Sequence, residues 1–212
     1  QSALELSLTL AALIISIIIH EVAHASAANS LGDPTAKLAR RLTLNPIPHI
    51  DLVGSILIPA LLIISNAGLL FGWAKPVPYN PYNLNNKRWG EAIVAVAGSA
   101  TNILLAVVFA LIVRASIAGY IPESAGYFAA QVSRVNLFLG LFNLIPFPPL
   151  DGFTVLRGIL PFRMSFAFRK LEALVESWGV GSLILFLVVF SYLFSIPFFY
   201  FVAFVFRLLI GA

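Results

Sequence analysis

Leu8-Thr-Leu-Ala-Ala-Leu-Ile-Ile-Ser-Ile-Ile-Ile-His20-Glu21-Val22-Ala23-His24 is the stretch on which the reading of this chain turns. Residues 8–19 carry no charge, and the five that follow place two histidines and a glutamate at the end of the run. On a helix, positions four apart share one face, so the two imidazoles point the same way. That spacing lets both rings bind one zinc ion, with Glu21 beside them to take a proton from metal-bound water. Ionisable groups are expensive at membrane depth, and there they mark function by default.

Charge is scarce along the whole chain. Of 212 residues, 60% are hydrophobic and 10% charged, with a mean hydropathy of +0.96. A soluble domain of this size could not cover itself with so little polar surface, which predicts an all-α polytopic membrane protein. There is no cysteine, so a metal would have to use His, Asp or Glu. The net charge of +4 does not call for nucleic acid, because excess Lys and Arg in membrane proteins marks cytoplasmic loops. Residues 1–19 hold Glu5 and no Lys or Arg, so they lack the basic segment that opens a secretory signal peptide.

Five apolar stretches stand out, at residues 3–29, 52–72, 91–114, 127–147 and 179–211. The first, third and fourth have the roughly 20 residues that a spanning helix needs. The last is interrupted by Ser195-Ile196-Pro197 and reads as two short helices or one kinked one. An amphipathic helix is expected over Phe162–Trp178. Residues 73–90, rich in Pro and Asn, read as extended chain and turns, with a short extended or β connector near 73–81. About five to six transmembrane or re-entrant helices are expected. No repeat or low-complexity linker divides them, so residues 1–212 read as a single membrane-embedded domain.

Two histidines do not complete a zinc site; a third protein ligand is needed. His49 lies in a Pro-rich polar loop, where an ordinary exposed histidine is expected. Asp151 ends Asn143-Leu-Ile-Pro146-Phe-Pro148-Pro149-Leu-Asp151-Gly152, directly after an apolar run. The prolines break that helix and Gly152 lets the chain turn, so the carboxylate could reach a metal from a second segment. It could equally cap a helix at the membrane boundary.

Together, H-E-x-x-H and N-x-x-P-x-P-x-L-D-G resemble the site-2 protease family of intramembrane zinc metalloproteases. The likeness extends to Gly98-Ser-Ala-Thr-Asn102, which matches the family's G-x-x-x-N pattern, and to Gly72-Trp73-Ala74-Lys75-Pro76-Val77-Pro78, which is similar to a connector of small prokaryotic members. No PDZ-like or CBS-like insertion fits the length, so the chain is similar to a minimal catalytic core of about residues 3–152. An amphipathic helix and a helical hairpin (153–212) would follow it. The resemblance implies one Zn2+ per chain, held by His20, His24 and Asp151, with Glu21 as general base. It implies that Asn143 orients substrate or stabilises the oxyanion. Asn102 is implied in a similar role; the alternative for Asn102 is a buried polar contact between helices. The implied substrate is a transmembrane segment of another protein, cut within or near the bilayer.

The ligands must meet at one depth, which puts the end of the first stretch and the end of the fourth on one side of the membrane. Ten Lys and Arg fall in the three loops assigned to that side: Lys37, Arg40 and Arg41; Lys75, Lys87 and Arg88; and Arg157, Arg163, Arg169 and Lys170. Arg114 alone lies near the opposite loop 115–126. The bias predicts a multi-pass protein of the cell membrane with its active site toward the cytoplasm. Both flanks of 52–72 then lie on one side, so that stretch is expected to be re-entrant or broken at Pro59.

The Lys75–Pro81 connector could pair with an unwound substrate as an added strand, or be a proline-rich turn that covers the site. Membrane lipid is the other expected partner, and nucleic acid is not one; the sequence sets no oligomeric state. Two rival functions are a non-catalytic relative that binds membrane helices and an ion channel or transporter lined by the His and Asp residues.

Overall fold

Helix α1 (Ala3–Ser30) takes in the whole first apolar stretch and carries His20 and His24 toward its C-terminal end. The computed structural model describes residues 3–64 and 73–211, and among these there are helices and no strand. Helices α4 (Gly90–Ile117) and α5 (Glu123–Asn143) form an antiparallel hairpin, and α1 packs against both.

The packing is inverted relative to a water-soluble protein. Small and polar side chains fill the contacts: Ala25, Ala28, Ser99, Asn102, Ala106, Ser133 and Asn136 are all buried. Large apolar ones face outward, with Ile15 of α1 57% exposed and Leu104 of α4 63% exposed. Small residues let helix backbones approach closely where lipid removes the hydrophobic drive between helices. This is a membrane protein. By length and composition, α1 from Ser7 and α4 can each cross a bilayer. Helices α7 (Phe162–Ser177) and α8 (Val180–Leu193) add a third crossing only if their 100° bend is counted within one span. α5 is long enough but carries Gln131, Ser133, Arg134 and Asn136, so among the described residues the larger number expected from the apolar stretches is not confirmed.

Within stretch 52–72, residues 65–72 lie outside the described residues, but both flanks are in place. Leu52–Leu57 forms a π-helical turn, continued by α3 (Ile58–Ile64) after the short α2 (Thr35–Leu38). Ile58 N–H donates to the Val53 carbonyl, five residues back. The next donor in that series would belong to Pro59, which has no N–H, so the Gly54 carbonyl is free to accept from Trp73 N–H at 3.1 Å. Ser55 Oγ donates to the Trp73 carbonyl (2.8 Å), and Lys75 N–H donates to the His49 carbonyl (2.9 Å). Gly54 is required here, since a Cβ would lie 2.3 Å from the Trp73 ring. The two flanks therefore meet, whereas a straight span would hold them about 30 Å apart.

Residues 73–80 run extended beside α1, tied down by two charged anchors. Arg41 donates to the Lys75 carbonyl (2.5 Å). Asp33, fully buried, accepts from Thr35 Oγ1 (2.5 Å), Asn80 N–H (2.6 Å) and Asn83 Nδ2 (2.9 Å). Burial alone would raise the Asp33 carboxyl; the hydrogen bonds from Thr35, Asn83 and Asn80 outweigh it and hold the group below its ordinary value.

The turn 144–150 links α5 to α6 (Asp151–Ile159) under an aromatic cover, in which Phe147 stacks on Phe186 at 4.4 Å and Phe142 meets Phe190 edge-on at 5.2 Å. Helix α7 matches the amphipathic helix expected at Phe162–Trp178, and its polar face joins an ion-pair network. Arg157 of α6 pairs with Glu91 of α4 and with Glu172 (3.0 Å), and Arg169 pairs with Glu91 (3.0 Å). The last stretch is two helices, α8 and α9 (Ser195–Ile210), broken at Phe194. Pro197 falls in the first turn of α9, where a missing N–H costs no bond.

Two outcomes follow from these contacts. Asp33→Ala should lower stability by about 2 kcal/mol, read as a melting temperature lower by about 4–8 °C in detergent. Because the folded carboxyl titrates below its unfolded value, its contribution is complete above about pH 4 and fades as pH falls through the folded value. The gap between wild type and variant should therefore close in acid; a gap that widens there refutes the assignment. The chain has no cysteine, so Lys37→Cys and Lys75→Cys can be labelled singly. An impermeant thiol reagent should reach both from the same face.

Candidate metal centre

α1 and α4 run antiparallel, and their contact sets the positions of the two imidazoles. His20 Nδ1–H donates to Asn102 Oδ1 (3.2 Å), and His24 Nδ1–H donates to the Val94 carbonyl (2.7 Å). With the Nδ1 protons so engaged, each ring turns its Nε2 lone pair inward. The two Nε2 atoms stand 3.0 Å apart. Gly98 makes the approach possible: a Cβ there would lie 2.4 Å from His24 Nε2 and 2.7 Å from His20 Cε1.

Asp151 is the first residue of α6, and its carboxylate faces the histidines. Oδ2 lies 3.2 Å from His20 Nε2 and 3.3 Å from His24 Nε2, with Ser99 Oγ donating to it at 3.4 Å. The sharp entry into α6 depends on Gly152, whose Cβ would lie 2.1 Å from the Leu144 carbonyl oxygen. His20, His24 and Asp151 form a group able to hold a metal ion among the described residues. Ligand atoms about 2.0–2.1 Å from one tetrahedral ion stand roughly 3.3 Å from each other. The observed 3.0–3.3 Å separations fit that geometry. The donor set of two imidazoles and a carboxylate also suits zinc.

The other expected residues are placed differently. Glu21 Oε2 accepts from Val77 N–H (2.9 Å), so the extended connector fixes the orientation of this carboxylate. Asn102 is fully buried behind the His20 ring. Asn143 ends α5 with its amide donating to the Leu139 carbonyl (3.0 Å), and among the described hydrogen bonds it does not join the cluster. His49, expected to be exposed, is instead buried at 2% exposure, with Nε2–H donating to the Thr43 carbonyl (2.9 Å). It packs inside the 43–49 turn and takes no part in the site.

Residues 121–187, from the start of α5 through the Asp151 turn into α8, match peptidase family M50. The chain is 39% identical over 156 residues to "Putative zinc metalloprotease YwhC" of Bacillus subtilis, covering 70% of this chain and 67% of the relative. The chain belongs to peptidase family M50. It is 29% identical over 174 residues to "Putative zinc metalloprotease Rip2" of Mycolicibacterium smegmatis, covering 81% of this chain and 63% of Rip2. No solved structure matches significantly. Membership in M50 makes the protein a metalloprotease, in agreement with its likeness to the site-2 proteases.

Motif reading of this M50 peptidase missed Val94 and Val77, which act through backbone atoms and leave no side-chain signature. Ser99 lay inside the quoted Gly98–Asn102 pattern, but spacing gave it no role. Asn102→Ala should weaken metal affinity by about 10–100-fold, measured by zinc titration against a chelator. Gly98→Ala should be the more severe, because the added methyl occupies the imidazole position. Unchanged affinity in Asn102→Ala would show that the His20 ring is held by other means.

Proposed function

We propose that this M50 metalloprotease is an intramembrane zinc endopeptidase that cleaves transmembrane segments of other proteins. In this reading His20, His24 and Asp151 hold the ion, and Glu21 is the proton-transfer group. The observation that carries the proposal is the convergence of three ligand atoms within 3.3 Å, contributed by α1 and α6 inside a bundle whose outer face is apolar. His20 and His24 lie about 9–15 Å along the helix axis from the Ser30 end of α1, within the apolar body of the protein.

When bound, zinc supplies Lewis acidity that polarises a substrate carbonyl and brings water to a neutral-pH pKa. The protein supplies the rest. Glu21 sits next to the ligand His20 in sequence, and its second carboxylate oxygen remains available while Val77 N–H holds the first. Glu21 would accept the proton of the attacking water and return it to the leaving amine nitrogen, so that the peptide C–N bond breaks and a carboxylic acid and an amine result. Asn102 and the Val94 carbonyl act through the histidines as positioning groups. Asn143 is proposed to orient the substrate after its amide leaves the Leu139 carbonyl. The ten Lys and Arg at the metal end, in loops and in α2, α6 and α7, support an active site facing the cytoplasm.

Glu21→Gln should retain zinc at wild-type stoichiometry while cleavage of a fluorogenic transmembrane peptide in detergent falls by about 1,000-fold. Asp151→Ala should lose the metal and the activity together. Full proteolysis by Glu21→Gln would refute the mechanism.

A further inference from the structure

A groove of ≈ 570 Å³ lies between α1, α5 and α9. Its walls are apolar, with Leu13, Phe138, Phe199 and Ala203 among them, and two exposed arginines, Arg134 and Arg207, line the same groove. Arg134 projects over the Phe206 ring at 4.7 Å. Among the described residues, neither guanidinium has a carboxylate within ion-pair distance.

An arginine on the lipid-facing surface of a helix is costly unless it meets an anion or water. Arg134 lies in the middle of α5, eleven residues beyond Glu123. Arg207 stands in the last turn of α9. The apolar wall extends from this pair along α9 to Phe199, about 12 Å at the helical rise. The surface thus offers two positive charges without a carboxylate partner in one groove, and a hydrocarbon-lined channel running away from them.

We infer that Arg134 and Arg207 bind the phosphate of an anionic phospholipid whose acyl chain lies along the groove between α1, α5 and α9. A transmembrane protein helix seated there would cover the apolar wall but leave both guanidiniums unpaired. A zwitterionic lipid carries its own ammonium beside the phosphate and so neutralises less of the arginine pair. The inference is independent of the metal centre and of the substrate.

Native mass spectrometry of the full chain in detergent, titrated with phosphatidylglycerol or with phosphatidylcholine of the same acyl chains, tests it. Wild type should retain one phosphatidylglycerol at a concentration about 10-fold or more below that needed for phosphatidylcholine. The Arg134→Gln/Arg207→Gln protein should lose that preference, and the Arg134→Lys/Arg207→Lys protein, which keeps both charges, should retain most of it. Equal retention of the two lipids by wild type, or an undiminished preference in the double Gln variant, overturns the proposal. If the Gln variant does not fold, a photo-crosslinker at Ala203 decides. A lipid adduct in membranes supports the site, and a captured protein helix overturns it.

Discussion

Two imidazole nitrogens and a carboxylate oxygen, all electron-rich, are held 3.0–3.3 Å apart inside an apolar bundle. Three such acceptors repel one another unless a metal ion or a proton lies between them, and the surrounding helices are arranged to hold them there. Asn102 and the Val94 carbonyl fix the two rings from behind, and Ser99 donates to the carboxylate. All three belong to α4, so one helix face organises ligands that come from α1 and α6. The cost is a close helix contact that only glycine permits at position 98. A bundle packed by large apolar side chains could not bring a backbone that near, which is why the interior is small and polar and the bulk faces outward.

Glu21 is governed from a different direction. The extended chain at 73–77 donates N–H groups from Trp73, Lys75 and Val77 to the Gly54 carbonyl, the His49 carbonyl and Glu21 in turn. These are alternate residues, as extended geometry requires. On the other edge Pro76 and Pro78 have no N–H to offer, so an incoming strand finds few donors there. The connector therefore works as a wall anchored to Asp33 and Arg41 and as the orienting group of Glu21. Of the two readings open from the sequence, this geometry favours the proline-rich cover over a strand edge that pairs with substrate.

The apolar stretches and proline positions made the helix order readable: α1, α4, α7 and the α8–α9 break fall close to where periodicity and Pro197 place them. His20 and His24 were readable from their spacing, whereas Asp151, which could equally have capped a helix, joined them only through the resemblance of the N-x-x-P-x-P-x-L-D-G motif. The two flanks of 52–72 were expected on one side from charge bias, but their contact rests on hydrogen bonds from Trp73, Ser55 and Lys75, one of them to a carbonyl left open by Pro59, which a hydropathy profile does not register. Long-range partners were hidden for a different reason. The His49–Thr43 bond, the Val77–Glu21 bond and the Asn80 N–H to Asp33 bond each use a backbone group present at every position. Composition cannot mark which of these will be used.

The path of α9 bears on how the protein faces the membrane. A Cβ on Gly211 would lie 3.7 Å from the Arg114 guanidinium carbon, so α9 ends where α4 ends, at the far end from the His–Asp cluster. Arg207 therefore joins Arg114 on that side, and the contrast becomes ten basic residues near the metal end against two beyond it. The two exceptions have a local cause: each stands in the last turn of its helix. Unpaired C-terminal carbonyls favour a cation at that position whichever way the protein faces. Of the ten near the metal end, Lys37 and Arg157 also stand in last turns, of α2 and α6, and the other eight do not. Leaving out every last-turn cation still sets eight basic residues near the metal end against none beyond it, so the bias that reports membrane orientation is undiminished by Arg114 and Arg207.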